Sequence, residues 1–357
     1  MAVIKVLVID DSAVIRQVLS EILNAVPDIE VVGTASDPLI ARQKIKRLHP
    51  DVLTLDVEMP RMDGITFLRN LMRLHPMPVV MISALTKAGA ETTLQALELG
   101  AIDYVAKPDQ HMGDGLSEYA EEIVAKVRTA AVARLRLPRL SGATDRLVPL
   151  KQDADAILPK RTTQPSSATV PAIIGIGAST GGTEAIKEVL AALPSDMPGI
   201  VISQHIPEAF SKPFAERLNA TSLLQVVEAK SGDEILPGHV YVAPGNRHLV
   251  IVRHASRYYC ELSDGPLVNR HKPSVDVMFR SLAQCAGERG IGVMLTGMGQ
   301  DGALSMGEMQ AAGAVTLAQD EMSSVVWGMP GAVVKRGFAD EVLSLGKIAQ
   351  RLIRLSK

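Results

Sequence analysis

From residue 3 to about residue 135, short runs of β-branched and aliphatic residues alternate with stretches whose apolar positions recur every three to four residues. The runs cover residues 3–9, 29–33, 52–55, 79–82 and 102–105, and amphipathic helices are predicted over 12–25, 38–48 and 90–99. Strands separated by helices of this length require right-handed crossovers, which place them in one parallel sheet covered on both faces. Five such units predict a flavodoxin-like, doubly wound α/β domain over residues 1–125. A helix over 123–137 closes it. Periodicity then fades into a segment rich in Ser, Thr, Ala, Pro and charge, so 126–170 reads as a helix end followed by a flexible linker. Alternation resumes at Ala172. Strands are expected at 173–176, 200–203, 239–242, 249–252, 291–295 and 314–318, with helices at 183–193, 213–218, 275–286 and 303–312. A second doubly wound, mainly parallel α/β domain over 171–357 follows.

The remaining totals narrow the function classes. A length of 357 residues allows each domain its own core, and 47% apolar with 21% charged residues is a globular composition. A net charge of −2 calls for neither nucleic acid nor an anionic membrane surface. The N-terminal apolar run ends in two aspartates without a cleavage region, and no run approaches the length of a membrane span. A cytoplasmic protein without direct membrane insertion is expected. Cys260 and Cys285 have neither metal nor disulfide-framework spacing and read as buried, reduced thiols.

In a parallel sheet the carboxyl ends of the strands share one edge. Asp10 and Asp11 follow the first strand, Asp56 ends the third, Ser83 ends the fourth and Lys107 follows the fifth. Three carboxylates, a hydroxyl and an ammonium therefore converge. Crowded carboxylates repel, and a hard cation such as Mg²⁺ among them removes the conflict. The cation and Lys107 would then neutralise charge on a phosphoryl group attacked by Asp56. With IDDS, DVEMPRMDG and AKP in place, residues 3 to about 125 resemble the receiver domain of two-component signalling. The resemblance implies Asp56 as phosphoacceptor, Asp10 and Asp11 as further Mg²⁺ ligands, and Ser83, Tyr104 and Lys107 as the switch residues.

The second domain opens on a strand, a glycine-rich turn and a helix, AIIGIGASTGGTEAIKEVL. A dinucleotide turn fits poorly, because the spacing is G-x-G-x-x-x-G and the next strand ends without an acidic residue for a ribose. Read as G-x-S-x-G, the turn lifts the Ser179 hydroxyl to the strand edge beside helix-terminal amides. A serine nucleophile needs a base and an orienting acid. His205 ends the next strand, in VISQHIP, and Asp301 follows the strand IGVMLTG. His271 and Asp276, in NRHKPSVD, compete for the same two roles.

GIGASTGGTEAI, SQHIP, VYVAPGNRH, DGPLVNRHKPSVDV and VMLTGMGQDGA resemble the catalytic domain of the chemotaxis protein-glutamate methylesterases. That resemblance implies Ser179 as nucleophile, His205 as base and then acid, Asp301 as its orienting carboxylate, and the Met298 backbone amide as an oxyanion donor. It also implies methyl-accepting chemoreceptors as substrates, glutamine deamidation as a second activity, a chemotaxis histidine kinase as phosphodonor, and no cofactor for ester hydrolysis. In the resembled family the receiver covers the catalytic cleft until it is phosphorylated. His271 is left as a candidate substrate contact. Two rivals are a DNA-binding output and a non-catalytic interaction module. Against the first, residues 171–357 carry 17 Lys and Arg against 18 Asp and Glu and alternate strand with helix, where a basic, helical domain would be required.

Overall fold

Each of the five N-terminal apolar runs becomes a strand, because both faces of a parallel sheet are buried and only near-continuous aliphatic runs satisfy that environment. In the computed structural model, which describes residues 3–59, 63–84, 86–107, 116–133, 153–160 and 171–357, the chain divides into two units, Met1–Ala143 and Thr144–Lys357. The first contains β1 (Ile4–Ile9), α1 (Ala13–Asn24), β2 (Ile29–Ala35), α2 (Pro38–Leu48), β3 (Val52–Asp56), α3 (Gly64–Leu74), β4 (Val79–Ser83), α4 (Lys87–Glu98), β5 (Asp103–Ala106) and α5 (Leu116–Val132). All pairings are parallel and the strand order is β2-β1-β3-β4-β5, the flavodoxin-like order. Helix α3 is absent from the sequence expectation, although Asp63 caps it by accepting from the Thr66 amide at 2.6 Å. Helix α5 runs past the expected boundary at 125, and residues 134–137 of the predicted closing helix lie outside the described residues.

The second unit contains β6 (Ile173–Ala178), α6 (Gly182–Ala191), β7 (Gly199–Gln204), α7 (Glu208–Thr221), β8 (Gln225–Glu228), β9 (His239–Val242), β10 (His248–His254), β11 (Arg257–Ser263), α8 (Val275–Ala286), β12 (Gly290–Met294), α9 (Ala303–Ala311), β13 (Val315–Gln319), α10 (Met329–Lys335), β14 (Glu341–Leu343) and α11 (Leu345–Leu355). Seven strands form one all-parallel sheet in the order β14-β13-β12-β6-β7-β9-β8. The expected strand at 249–252 forms outside this sheet. It lies in β10, which pairs antiparallel with β11 in a separate hairpin. Strands β8 (QVVE) and β14 (EVL) carry only two consecutive apolar residues each, too few to mark a strand in the sequence. Among the described residues, no helix is long and apolar enough to cross a membrane.

The glycines of β6 serve packing. A Cβ on Gly175 would sit 2.4 Å from Leu282 Cδ1, and one on Gly177 would sit 2.2 Å from Val275 Cγ1. Both neighbours belong to α8, so two bare positions on one strand face let α8 lie close against the sheet. That contact places the N-terminus of α8 beside the carboxyl end of β6.

Part of the expected linker is ordered on this unit. Residues Ala154–Ala156 form a 3₁₀ turn, Ala154 is buried with Val250, Val268 and Val277, and Ile157 and Leu158 pack against them. The lock is Arg280, whose side chain is 2% exposed. It donates to both carboxylate oxygens of Glu308 (2.8 and 2.7 Å), to Asp155 Oδ1 (2.6 Å) and to the Leu158 carbonyl (3.1 Å). The segment carries no periodicity of its own, because its order comes from these tertiary partners. A fragment beginning at residue 161 should therefore be about 2–4 kcal/mol less stable to denaturant than one beginning at 150, since a buried arginine loses two of its acceptors. Equal midpoints for the two fragments would refute this role for the segment.

Candidate functional sites

In the first unit, the expected acidic rim assembles at the carboxyl ends of β1, β3 and β5. Asp10 and Asp56 are fully buried and Asp11 is exposed, and ligand oxygens of the three lie within 4.8 Å of one another. Lys107 Nζ donates to Asp56 Oδ2 at 2.8 Å and stands 3.8 Å from Asp10 Oδ2. One ammonium does not balance three carboxylates. Burial and then the charge of Asp56 push the Asp10 carboxyl up to about 6, and burial raises Asp56 despite Lys107. Asp10 Oδ2 is buried without a hydrogen-bond partner. An orphaned carboxylate oxygen inside an all-oxygen cluster suits a hard divalent cation. Beside it lies a cavity of about 570 Å³ lined by Asp11, Glu58, Asp63, Thr92 and Lys107 among others, with room for a phosphoryl group.

Ser83 stands at the end of β4, but its hydroxyl is engaged by the start of α4. It accepts from Thr93 Oγ1 at 2.7 Å and donates to the Gly89 carbonyl at 3.3 Å. Tyr104 on β5 is buried, with Lys126 Nζ 4.9 Å from its ring centroid.

In the second unit, β6 and β7 pair with Ala178 opposite Gln204, so the next residues along, Ser179 and His205, leave adjacent strands side by side. The His205 amide donates to the Ala178 carbonyl at 3.2 Å. Gln204 ties the two turns together by donating from Nε2 to the carbonyls of Ser179 (3.0 Å) and His205 (3.1 Å). On the other side, the Ser179 amide donates to the Thr296 carbonyl at 3.1 Å, and the Thr296 hydroxyl donates to the Thr180 carbonyl at 3.0 Å. Gly297 must be bare at this point, because a Cβ there would lie 2.9 Å from Ser179 Cβ. This contact brings the Gly297–Met298–Gly299 turn, with Gly299 at φ 82°, against Ser179.

Asp301, in the loop after β12, is 2% exposed. Its Oδ2 accepts from His205 Nε2 at 2.8 Å and from the Val275 amide at 2.7 Å. Its Oδ1 accepts from Ser274 Oγ at 2.8 Å and Asn269 Nδ2 at 2.7 Å. The carboxylate therefore sits on the N-terminus of α8, where amides and the helix dipole favour negative charge. Burial alone would raise its pKa, but the hydrogen bond and charge of His205, with His271 and Asn269, hold it well below the usual carboxylate range. An ionised carboxylate only accepts, so the Nε2 facing Asp301 carries a proton, and Nδ1 is the nitrogen left for proton transfer when the ring is neutral. Nδ1 is buried and has no hydrogen-bond partner.

The two competitors take other places. His271 stacks on His205 with centroids 3.7 Å apart and planes 15° from parallel, which fixes the plane of the base. Asp276 accepts from Asn269 Nδ2 (2.6 Å) and the Ser305 amide (2.8 Å). Sequence reasoning misses Gln204, Asn269, Ser274 and Thr296, and it also passes over His248, whose ring bridges the Pro266 carbonyl (2.9 Å) and the Ser274 amide (3.2 Å). None of these stands in a spacing that signals chemistry. Only the folded loop from 264 to 274 brings its members to the site.

Comparison with known proteins identifies the family of each unit. The CheB methylesterase family matches residues 174–352, and the response regulator receiver domain family matches residues 6–113. A protein-glutamate methylesterase/protein-glutamine glutaminase of Hydrogenovibrio crunogenus is 55% identical over 100% of both chains. One of Geobacter metallireducens is 57% identical over 98% of this chain and 95% of its own. The crystal structure of the Thermotoga maritima CheB methylesterase catalytic domain covers 52% of this chain and 100% of its own, at 38% identity and a TM-score of 0.51. The chain therefore belongs to the CheB methylesterase family, with a response regulator receiver domain preceding the esterase domain.

Proposed function

We propose that this chain is a phosphorylation-regulated protein-glutamate methylesterase that also deamidates glutamine side chains. The observation that carries the chemistry is the His205–Asp301 pair, with the buried Nδ1 left without a hydrogen-bond partner at the strand edge that also carries Ser179. Ser179 Oγ attacks the ester carbonyl as Nδ1 of His205 takes its proton, forming the Oγ–C bond. The Met298 amide, with the N-terminal amides of α6, holds the developing oxyanion. His205 then returns the proton to the methoxy group, the C–O bond breaks and methanol leaves. Water, deprotonated by the same nitrogen, cleaves the acyl-serine to glutamate. A glutamine amide follows the same path with ammonia leaving, and its nitrogen must be protonated to depart. His205 uses Nε2 for the acid and Nδ1 for the serine, so the Asp301 contact specifies the reactive tautomer.

The substrates proposed are methylated glutamates on methyl-accepting chemoreceptors, and the phosphodonor is a chemotaxis histidine kinase acting on Asp56. Asp10, Asp11 and Asp56 would hold Mg²⁺, which supplies charge neutralisation for phosphoryl transfer. Lys107 places an ammonium on the Asp56 carboxylate, and Ser83 and Tyr104 would be the residues that respond to its modification. The deciding assay is methanol release from methylated receptor with and without a small phosphodonor. Release that rises with the phosphodonor supports the proposal, and no release under either condition overturns it.

The metal reading has its own thermodynamic test. A carboxyl whose folded pKa lies near 6, above its unfolded value of 3.8, favours the folded state less as pH rises through that interval. Without metal, the receiver should therefore lose stability between about pH 4 and 6. Mg²⁺ well above its dissociation constant should restore about 1–3 kcal/mol at pH 7.5 and little at pH 4.5, seen as a rise in receiver Tm. An Asp10→Asn variant should lose that response, and a Tm indifferent to Mg²⁺ at both pH values would sink the metal assignment.

A further inference from the structure

Asn269 occupies the turn between Val268 and His271, which pair through Val268 N to His271 O (3.1 Å) and His271 N to Val268 O (2.8 Å). Its backbone lies in the left-handed region at φ 51°, next to Arg270 at φ 70°. Asparagine tolerates that region better than most residues, and glycine adopts it without strain. From this position the side-chain amide donates to Asp276 Oδ2 at 2.6 Å and to Asp301 Oδ1 at 2.7 Å. Both acceptors are buried, at 3% and 2% exposure.

We propose that Asn269 is a positioning residue for the His205–Asp301 pair: its amide holds two buried carboxyl groups side by side and sets the orientation and charge of the one facing His205. An NH₂ group has two hydrogens in a fixed fork, so spending one on each carboxyl fixes the spacing between them. Apart from His205 Nε2, the other donors to Asp301, Ser274 Oγ and the Val275 and Asp276 amides, come from the start of α8. Asn269 is the donor contributed by the loop that also carries His271, so one turn orients both the acid and the ring stacked on the base.

Burial, and then repulsion from Asp301, push the Asp276 carboxyl up to about 7, whereas Asp301 stays ionised. The titratable groups around the two carboxyls are His205 after β7, His271 in the loop and His248 on β10, while α9 faces Asp276 with the Ser305 amide. A donor on Asp301 Oδ1 withdraws negative charge from Oδ2 and so weakens Oδ2 as the acceptor for His205 Nε2–H. Removing that donor strengthens the grip of Asp301 on the imidazolium, which moves the acid limb of the kcat/KM profile to higher pH. It also frees the carboxylate to rotate, and misalignment of this kind costs about 10- to 100-fold in rate.

The test is Asn269→Gly, which keeps the left-handed backbone and deletes only the amide. We expect kcat to fall about 10- to 100-fold, KM to change less than about twofold, and the acid limb to move up in pH. The low-field proton resonance of His205 Nε2–H should shift as its acceptor is released. The kinetic readouts rest on the esterase reading, whereas the proton resonance does not. A wild-type chain that releases no methanol sinks the esterase reading and leaves the resonance to decide the role of Asn269. A folded Asn269→Gly protein with wild-type kcat, acid limb and resonance overturns the proposal. Should Asn269→Gly fail to fold, Asn269→Ser, whose one hydroxyl hydrogen reaches a single carboxyl, is judged by the same three readouts and the same criterion.

Discussion

Replacing Ser179 by alanine is expected to lower kcat for ester hydrolysis by about 10⁵- to 10⁶-fold, with folding and phosphodonor uptake intact. In the proposed mechanism Ser179 Oγ forms the covalent bond, and its immediate neighbours offer no exposed hydroxyl in its place. Gly297 and Gly182 contribute no side chain, and the Thr180 and Thr183 side chains are buried. The amides and helix end that would hold the oxyanion remain, so a residual rate above the uncatalysed one should persist. The alanine fits without strain, because Ser179 is anchored through its backbone to Thr296 and Gln204. Single-turnover methanol release at matched Tm checks the expectation. A variant retaining a tenth of wild-type activity would exclude Ser179 as the nucleophile.

Changing Asp301 to asparagine is expected to lower kcat by about 10⁴-fold and also to destabilise the second unit. An asparagine can turn its NH₂ toward His205 Nε2, which then becomes an acceptor and moves the ring proton to Nδ1, the nitrogen that must receive the serine proton. The structural loss has a separate origin. Asp301 accepts from His205, Asn269, Ser274 and the Val275 amide, and an amide cannot accept at both of its positions. At least one buried donor at the start of α8 is orphaned, costing about 1–3 kcal/mol. Denaturant unfolding and the pH dependence of kcat separate the two effects. A stable Asp301→Asn protein with near-wild-type kcat would show that His205 needs no orienting acid.

The parts of this protein legible in sequence are those set by local periodicity. The aliphatic runs at 52–55 and 79–82 match β3 and β4 to within a residue, and 38–48 matches α2, because each element carries its own burial pattern. The rim of Asp10, Asp56 and Lys107 was also readable, since the carboxyl ends of parallel strands must share an edge. The limits show at β10, whose apolar alternation reads as a strand but does not say which strand it pairs with. Residues Asp153–Lys160 show the same limit, as their composition is that of a linker and only Arg280 and the patch around Val268 order them.

For the catalytic site, the division follows the range of the forces involved. Sequence alone placed Ser179, His205 and Asp301 in three loops on one edge of a parallel sheet, because chain direction and strand order decide which turns face the same way. Strand order and spacing alone left His271 and Asp276 as rivals to His205 and Asp301, since both pairs stand in reach of that edge, and only the family resemblance favoured the second pair. Tertiary structure shows which of them touch. Gly175 and Gly177 let α8 lie against β6, its N-terminus receives Asp301, and Asp301 takes Nε2 of His205. His271 is left to stack on the base, and Asp276 is held through Asn269. Those contacts run between side chains up to about a hundred residues apart, with His205 and Asp301 separated by 96 positions. Hydrogen bonds of that range depend on packing geometry within a few tenths of an ångström, and no spacing along the chain encodes it.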